Sequence, residues 1–208
     1  MKKKYLGVIP ARGGSKGVLR KNIKSIAGLP LIAWTIRSAL ESELLSDLIV
    51  STEDEEIAEI SEAHGCRVLW RPSELATDEA TCISVLQHVI EEIPFENLVL
   101  LQATSPIRKP GLVDTCIEEF EKSGADNLGT GWMCDLKEYG SYKARRQELE
   151  SFFHDDGNIY VVKEALIRAG KMYGDKVERL VISREENVEI DDEFDFWLAE
   201  QILLKRKP

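Results

Sequence analysis

The apolar positions of this chain fall into short runs and helical stripes that alternate from the N-terminus onward. Tyr5 to Ile9 reads as a buried strand, and a polar, glycine-rich loop follows from Pro10 to Gly28. Pro30 then suits a first helical residue, and Ile32, Ile36, Ala39 and Leu40 recur at helical spacing behind it. Leu48 to Val50 is a second strand. Thr52 and Glu55 have the spacing of a capping box for a helix over 54–64, which Gly65 stops. Arg67 to Trp70 is a third strand, and a helix over about Thr81 to Ile93 carries Val85, Leu86, Val89 and Ile90 on one face. Leu98 to Leu101 is apolar throughout, as expected of a central strand covered on both sides. Lys109-Pro110 opens a helix with Leu112, Val113, Cys116, Ile117 and Phe120, ended by Gly124.

Strands alternating with helices over this length predict an α/β fold with a mainly parallel sheet and helices on both faces. Its ligands are expected beyond the carboxyl ends of the strands. The loops at 10–22, 71–84 and 102–108 leave the sheet at that edge. After Gly129 the pattern loosens: 132–153 reads as polar and irregular, a hairpin arm over about 130–157. Ile159 to Val162 and Val177 to Ser183 read as returning strands, and Glu193 to Lys207 as a closing amphipathic helix. The 208 residues suit one domain over 1–208.

Charge changes this picture at one place. The chain carries a formal net charge of −10, which argues against a nucleic-acid partner. Yet Met1 to Leu40 holds nine Lys or Arg and no Asp or Glu, which leaves 18 basic and 37 acidic residues for the remainder. Arg12, Lys16, Arg20, Lys21 and Lys24 of this acid-free end fall in the glycine-rich loop. In Pro10-Ala11-Arg12-Gly13-Gly14-Ser15-Lys16-Gly17 the glycines let the backbone approach an anion, and the cations and the Ser15 hydroxyl complete a triphosphate cradle. It matches neither the GxxxxGK[ST] loop nor the GxGxxG fingerprint.

The four cysteines (Cys66, Cys82, Cys116, Cys134) are scattered, without a CxxC pair, and read as reduced thiols. No apolar run reaches the roughly 18 residues that span a bilayer, and no secretory leader is legible. A cytoplasmic protein without a membrane partner is expected.

The stretch Ile9-Pro10-Ala11-Arg12-Gly13-Gly14-Ser15-Lys16-Gly17 with Arg20-Lys21-Asn22-Ile23 resembles the signature of the acylneuraminate cytidylyltransferase family. The resemblance continues through Arg71-Pro72, Glu74-Leu75-Ala76 and Asp78, through Leu101-Gln102-Ala103-Thr104-Ser105-Pro106-Ile107-Arg108, and through Arg145-Arg146-Gln147. Asp156-Gly157-Asn158-Ile159-Tyr160 and Glu189-Ile190-Asp191 with Asp195-Phe196 and Ala199-Glu200 close it. It implies a three-layer, Rossmann-like nucleotide-diphospho-sugar transferase fold with a small dimerisation arm, hence a homodimer.

The resemblance also implies the reaction and its residues. CMP would pass from CTP to the anomeric hydroxyl of a sialic-type acidic sugar. Arg12, Lys16 and Lys21 would be catalytic. The nucleotide would be bound by Ala11, Arg12, Gly13, Gly14, Ser15, Lys16, Lys21, Asn22, Arg71, Thr81 and Cys82. The acceptor would be bound by Gln102, Thr104, Ser105, Arg145, Arg146, Gln147 and Tyr160. Glu189 and Asp191, two apart on an extended segment, would share a face and hold Mg²⁺ through oxygen ligands. An acidic turn capping the last helix is the alternative for that pair, with Asp195 as first-turn helix chemistry.

Three features depart from the family pattern: Glu189 stands where it usually has Asp, Cys82 where it often has Ser or Thr, and the arm is shorter. Kdo or another sugar as acceptor, and a non-catalytic nucleotide-sugar binder, stay open as alternatives.

Overall fold

The computed structural model describes residues 3–136, 145 and 150–206. Nine strands and six α-helices follow one another along them. β1 (Lys3–Pro10) leads through a 3-10 turn at Lys21–Ile23 to a small ribbon, β2 (Ser25–Ile26) and β3 (Leu29–Pro30), and then to α1 (Leu31–Leu40). Next come β4 (Asp47–Thr52), α2 (Glu55–Ala63), β5 (Arg67–Trp70), α3 (Cys82–Glu92), β6 (Phe95–Leu101) and α4 (Leu112–Ser123). β7 (Asn127–Cys134), β8 (Phe152–Lys163), α5 (Glu164–Arg168), β9 (Val177–Val181) and α6 (Glu193–Arg206) complete the chain.

The large sheet has seven strands in the order β5-β4-β1-β6-β8-β7-β9. β5, β4, β1 and β6 run parallel, and β8 is antiparallel to both β6 and β7. The apolar run of β6 therefore does lie at the centre. Its alternation sends Val99 and Leu101 into one core with Ile32 and Ile36 of α1 and Cys116 and Ile117 of α4. Leu98 and Leu100 enter the opposite core with Leu86 and Val89 of α3. A third cluster joins Val18 of the glycine-rich loop to Ile190 and to Phe196, Ala199 and Leu203 of α6.

Several local expectations shift. Pro30 is the N-cap of α1 rather than its first helical residue, because its ψ of 142° is not helical. Leu40 is half exposed rather than part of the buried stripe. α2 is capped by Asp54, whose side chain accepts the Ile57 N–H, while Thr52 Oγ1 accepts the Asp54 N–H. Thr52 is buried in β4, so the capping-box reading falls one element short.

The segment after Gly129 is not irregular at its base. β7 and β8 pair from Asn127–Val162 to Cys134–Phe152, with a register shift between the pairs Gly129–Tyr160 and Gly131–Asp155. Thr130 mends the ladder there: its Oγ1 accepts the Ile159 N–H at 3.0 Å and donates to the Ile159 carbonyl. Two glycines in β7 and His154-Asp155 with Gly157 in β8 read locally as turn, and the pairing alone makes them strand. Among the described residues, no helix is long and apolar enough to cross a membrane.

Candidate active site

The four parallel strands deliver their carboxyl ends to one edge, and the loops after β1, β4, β5 and β6 start there. Ala11, just past β1, is buried and donates its N–H to the Ser51 carbonyl. Arg12 then turns outward, donating to the Thr77 carbonyl at 3.0 Å and pairing with Asp78 at 2.8 Å. Lys16 pairs with the other Asp78 oxygen at 2.6 Å. These two cations hold the Asp78 carboxyl below the usual carboxylate range, Lys16 contributing most. Asn22 is buried and donates from Nδ2 to the Arg12 carbonyl at 3.0 Å, which fixes the base of the loop. Gly14 is exposed with open space where a Cβ would stand, and Ser15 is half-buried beside it.

Arg20, in left-handed backbone at φ 53°, does not point to the cradle. Its guanidinium forks onto Asp54, with Nη2 to Oδ1 at 3.0 Å, and reaches Glu56. Lys24 pairs with Glu193 and lies 4.4 Å from the Phe196 ring centre. These two basic residues fasten the loop to α2 and α6.

A cavity of about 260 Å³ opens beside the loop, lined by Arg12, Arg71, Thr77, Asp78, Thr81, Cys82 and Gln102 among others. Thr81 is the N-cap of α3 and accepts the Ser84 N–H at 3.2 Å. Cys82 is exposed at the cavity mouth, and the protein around it pushes its thiol up from the ordinary value. Gln102 is held by its main chain: its carbonyl accepts from Arg108 Nη2 at 2.9 Å and its N–H donates to the Asn158 carbonyl. A larger groove of about 1060 Å³, between Trp34, Pro110 and Leu203, contains none of the predicted site residues.

Lys21, Thr104, Glu189 and Asp191 form a second cluster against the same loop. The 188–190 segment lies outside any strand, and Ile190 anchors it: its side chain is fully buried and its N–H donates to the Thr104 carbonyl at 2.9 Å. Burying such a side chain contributes about 1.5–3 kcal/mol towards ordering the segment. Lys21 donates to the Ile190 carbonyl and sits 3.9 Å from Asp191. Glu189 accepts from Thr104 Oγ1 at 3.4 Å.

Burial and then the Asp191 charge raise the Glu189 carboxyl above the usual range, and the Thr104 bond and Lys21 only partly oppose them. Asp191 and Asp192 both donate main-chain N–H to Asp195, and Asp192 accepts from the Phe194 and Asp195 N–H groups. Asp195 is thus first-turn helix chemistry, as expected, and Asp192 rather than Asp191 is the capping carboxylate. That frees the Asp191 side chain, which is 80% exposed.

Tyr160 donates its hydroxyl to Asp155 Oδ1 at 2.7 Å, and burial followed by that bond pushes its pKa above the ordinary phenol value, making it a weaker acid. Ser105 is buried, and its hydroxyl has no partner among the described residues. Arg145 is exposed. Arg146 and Gln147 lie outside the described residues.

Two carboxylates that the sequence pattern did not single out for the site join it. Asp155 stands beside Tyr160, and Glu53 accepts the Gly13 N–H at 2.7 Å and the Arg71 Nε and Nη2 hydrogens at 3.1 and 3.0 Å. The position of Glu53 at the carboxyl end of β4 was the available signal, obscured by the helix start that follows.

The chain as a whole resembles known proteins. The profile of the family described as Cytidylyltransferase matches residues 6–173. The chain is 32% identical over 99% of its length to the N-acylneuraminate cytidylyltransferase of Escherichia coli O18:K1:H7, and it covers 54% of that protein. It is 30% identical to the CMP-N,N'-diacetyllegionaminic acid synthase of Legionella pneumophila, over 96% of both chains. It thus spans about half the length of the first relative and nearly all of the second. Among solved structures, CMP:2-keto-3-deoxy-manno-octonic acid synthetase complexed with CTP superposes with a TM-score of 0.79 at 14% identity, covering 98% of this chain and 100% of that one. That likeness is one of fold.

Proposed function

The chain belongs to the cytidylyltransferase family, and from that premise we propose that it transfers CMP from CTP to the anomeric hydroxyl of a sialic-type, nine-carbon sugar acid. The observation that carries the reading is the meeting of two clusters on one loop: the cations Arg12 and Lys16, both paired with Asp78 at the edge of the cavity, and Lys21 against the Glu189 and Asp191 carboxylates. The likeness to relatives named for acylneuraminate and legionaminic acid chemistry supports the acceptor class.

In this reading the anomeric oxygen attacks the α-phosphorus in line and loses its proton, a new P–O bond forms, the α–β bridge breaks, and pyrophosphate leaves. Such transfers depend on positioning and charge rather than on a protein nucleophile. Arg12 and Lys16 exchange Asp78 for phosphate oxygens, and Lys21 meets the charge that builds on the leaving group. Gln102, able to donate and accept, orients acceptor hydroxyl or amide groups, with Thr104, Ser105, Tyr160 and the arm residues Arg145, Arg146 and Gln147 as the remaining contacts.

The carboxylates fit a divalent cation. Glu189 and Asp191 offer hard oxygen donors whose mutual repulsion the protein leaves partly unrelieved, and Asp191 faces solvent. Among the described residues no group of three acidic, His or Cys side chains forms a closed cage. Two carboxylates with remaining positions for phosphate and water is the arrangement Mg²⁺ takes. Held by Glu189 and Asp191, it would neutralise phosphate charge in the transfer.

The test is pyrophosphate release with Mg²⁺, each of the four nucleoside triphosphates, and a panel of nonulosonic acids and Kdo. Release with CTP and a nonulosonic acid is expected. Release only with another nucleotide removes the cytidylyl assignment, release only with Kdo moves the acceptor, and none with any pair removes the enzyme reading.

A further inference from the structure

The geometry points to Glu53 as a positioning residue of the nucleotide site, one that presents Arg71 and the glycine-rich loop to CTP without touching the nucleotide itself. The inference rests on the CTP reading above. In the sheet order β5-β4-β1, Glu53 follows the middle strand. The loop after β1 carries Gly13, and the residue after β5 is Arg71, so Glu53 stands between the two nucleotide elements. Both of its oxygens are committed: one takes the Gly13 N–H, and the other takes Nε and Nη2 of Arg71.

The Arg71 main chain is registered on the same corner through its N–H to the Thr52 carbonyl at 3.0 Å. Its side chain is only 4% exposed, and an ion buried to that degree needs a partner. With two guanidinium nitrogens spent on Glu53, Nη1 has no partner among the described residues, while Arg71 lines the cavity. Glu53 therefore does two things at once. It fixes the plane of a planar, directional donor, and it ties the loop bearing Arg12 and Lys16 to that donor. Gly13 is correspondingly an anchor of the cradle, because its N–H is already used.

Glu53→Gln tests this. A glutamine has one acceptor oxygen and turns an amide N–H₂ toward a donor, so it cannot serve both partners. Titration calorimetry with CTP should show affinity about tenfold weaker, the scale of one lost charge-assisted hydrogen bond. The KM for CTP should rise in step while the KM for the acceptor stays within about twofold. Glu55→Gln, at an exposed position in the first turn of α2, removes the same charge nearby and should leave CTP affinity unchanged. A residue that only held the fold would lower the thermal midpoint and the active fraction and leave the CTP KM alone, and that pattern overturns the inference, as does wild-type CTP affinity in E53Q.

Should E53Q not fold, Glu53→Asp decides: its arm is one methylene shorter and cannot span both partners. A several-fold loss of CTP affinity supports the role, and an unchanged affinity overturns it. If wild-type protein binds no CTP, the CTP reading itself falls and takes this inference with it. If it binds CTP and the variants bind equally well, only the role of Glu53 falls.

Discussion

Gly17 lies so close to Asp191 that a Cβ at residue 17 would stand 1.9 Å from the Asp191 carbonyl oxygen. The glycine-rich loop and the segment of the carboxylate pair thus touch backbone to backbone, across a contact no larger residue permits. Gly17→Ala must push the 189–192 segment away, and a displacement of this kind costs on the order of 100-fold in turnover. Gly14→Ala meets nothing within 4 Å and should stay within about 0.5 kcal/mol of wild-type stability. Pyrophosphate release and thermal unfolding of the two variants, side by side, check the contrast. Equal behaviour would show that the contact does not set the site.

Lys21 is the cation shared by the loop and the carboxylates, with 13% of its side chain exposed. Lys21→Ala should keep the fold and lower kcat by about 100- to 1,000-fold, the scale of losing one preorganised charge. Near-full turnover in that variant takes Lys21 out of the phosphate cradle.

Asp54 does two structural jobs at the loop's far side, forking onto Arg20 and capping α2. The Arg20 bonds hold its carboxyl below the ordinary value. A depressed acid contributes stability that is fully present above its unfolded value of about 3.9 and is lost as pH falls through the lower folded value. Asp54→Ala should therefore destabilise by about 1–3 kcal/mol at neutral pH. The difference from wild type should shrink on acidification below pH ~4. Denaturant titrations at pH 7 and at pH 3 measure it, and a pH-independent difference would remove the ionic part of the account.

Cys82 is the exposed cysteine, while Cys66, Cys116 and Cys134 are buried. Its raised thiol value keeps it neutral at pH 7, so alkylation by iodoacetamide should be slow and confined to Cys82 in the folded protein. Saturating CTP should slow it further if the nucleotide fills the cavity that the thiol borders. Mass spectrometry of the modified peptide reads both effects. Labelling indifferent to CTP would place the nucleotide elsewhere.

Much of this architecture was legible from local patterns. β1, β4, β5, β6 and the helices between them follow from apolar runs and helical stripes, and Gly65 and Gly124 end their helices in left-handed backbone at φ 83° and 63°. The end of β8 was legible as the apolar run Ile159 to Val162, but β7 and the start of β8 were not, because their glycines and acidic residues carry no alternation and their pairing depends on Thr130 patching a shifted register. The sequence set Arg20 and Lys24 in the basic loop without showing which way they face, because charge and position are all it displays. Their partners, Asp54 and Glu193, are 34 and 169 residues away.

The sequence by itself determined the fold class, the acid-free basic loop, and the presence of a carboxylate pair near the C-terminus, since each is a matter of local composition and spacing. Tertiary structure decided which groups face one another: Gly17 against Asp191, Lys21 against Ile190, and Glu53 between Gly13 and Arg71. Those meetings are set by strand order in the sheet and by the burial of Val18 with Ile190 in one cluster. Packing of that kind is a property of the whole core, and no single stretch of chain records it.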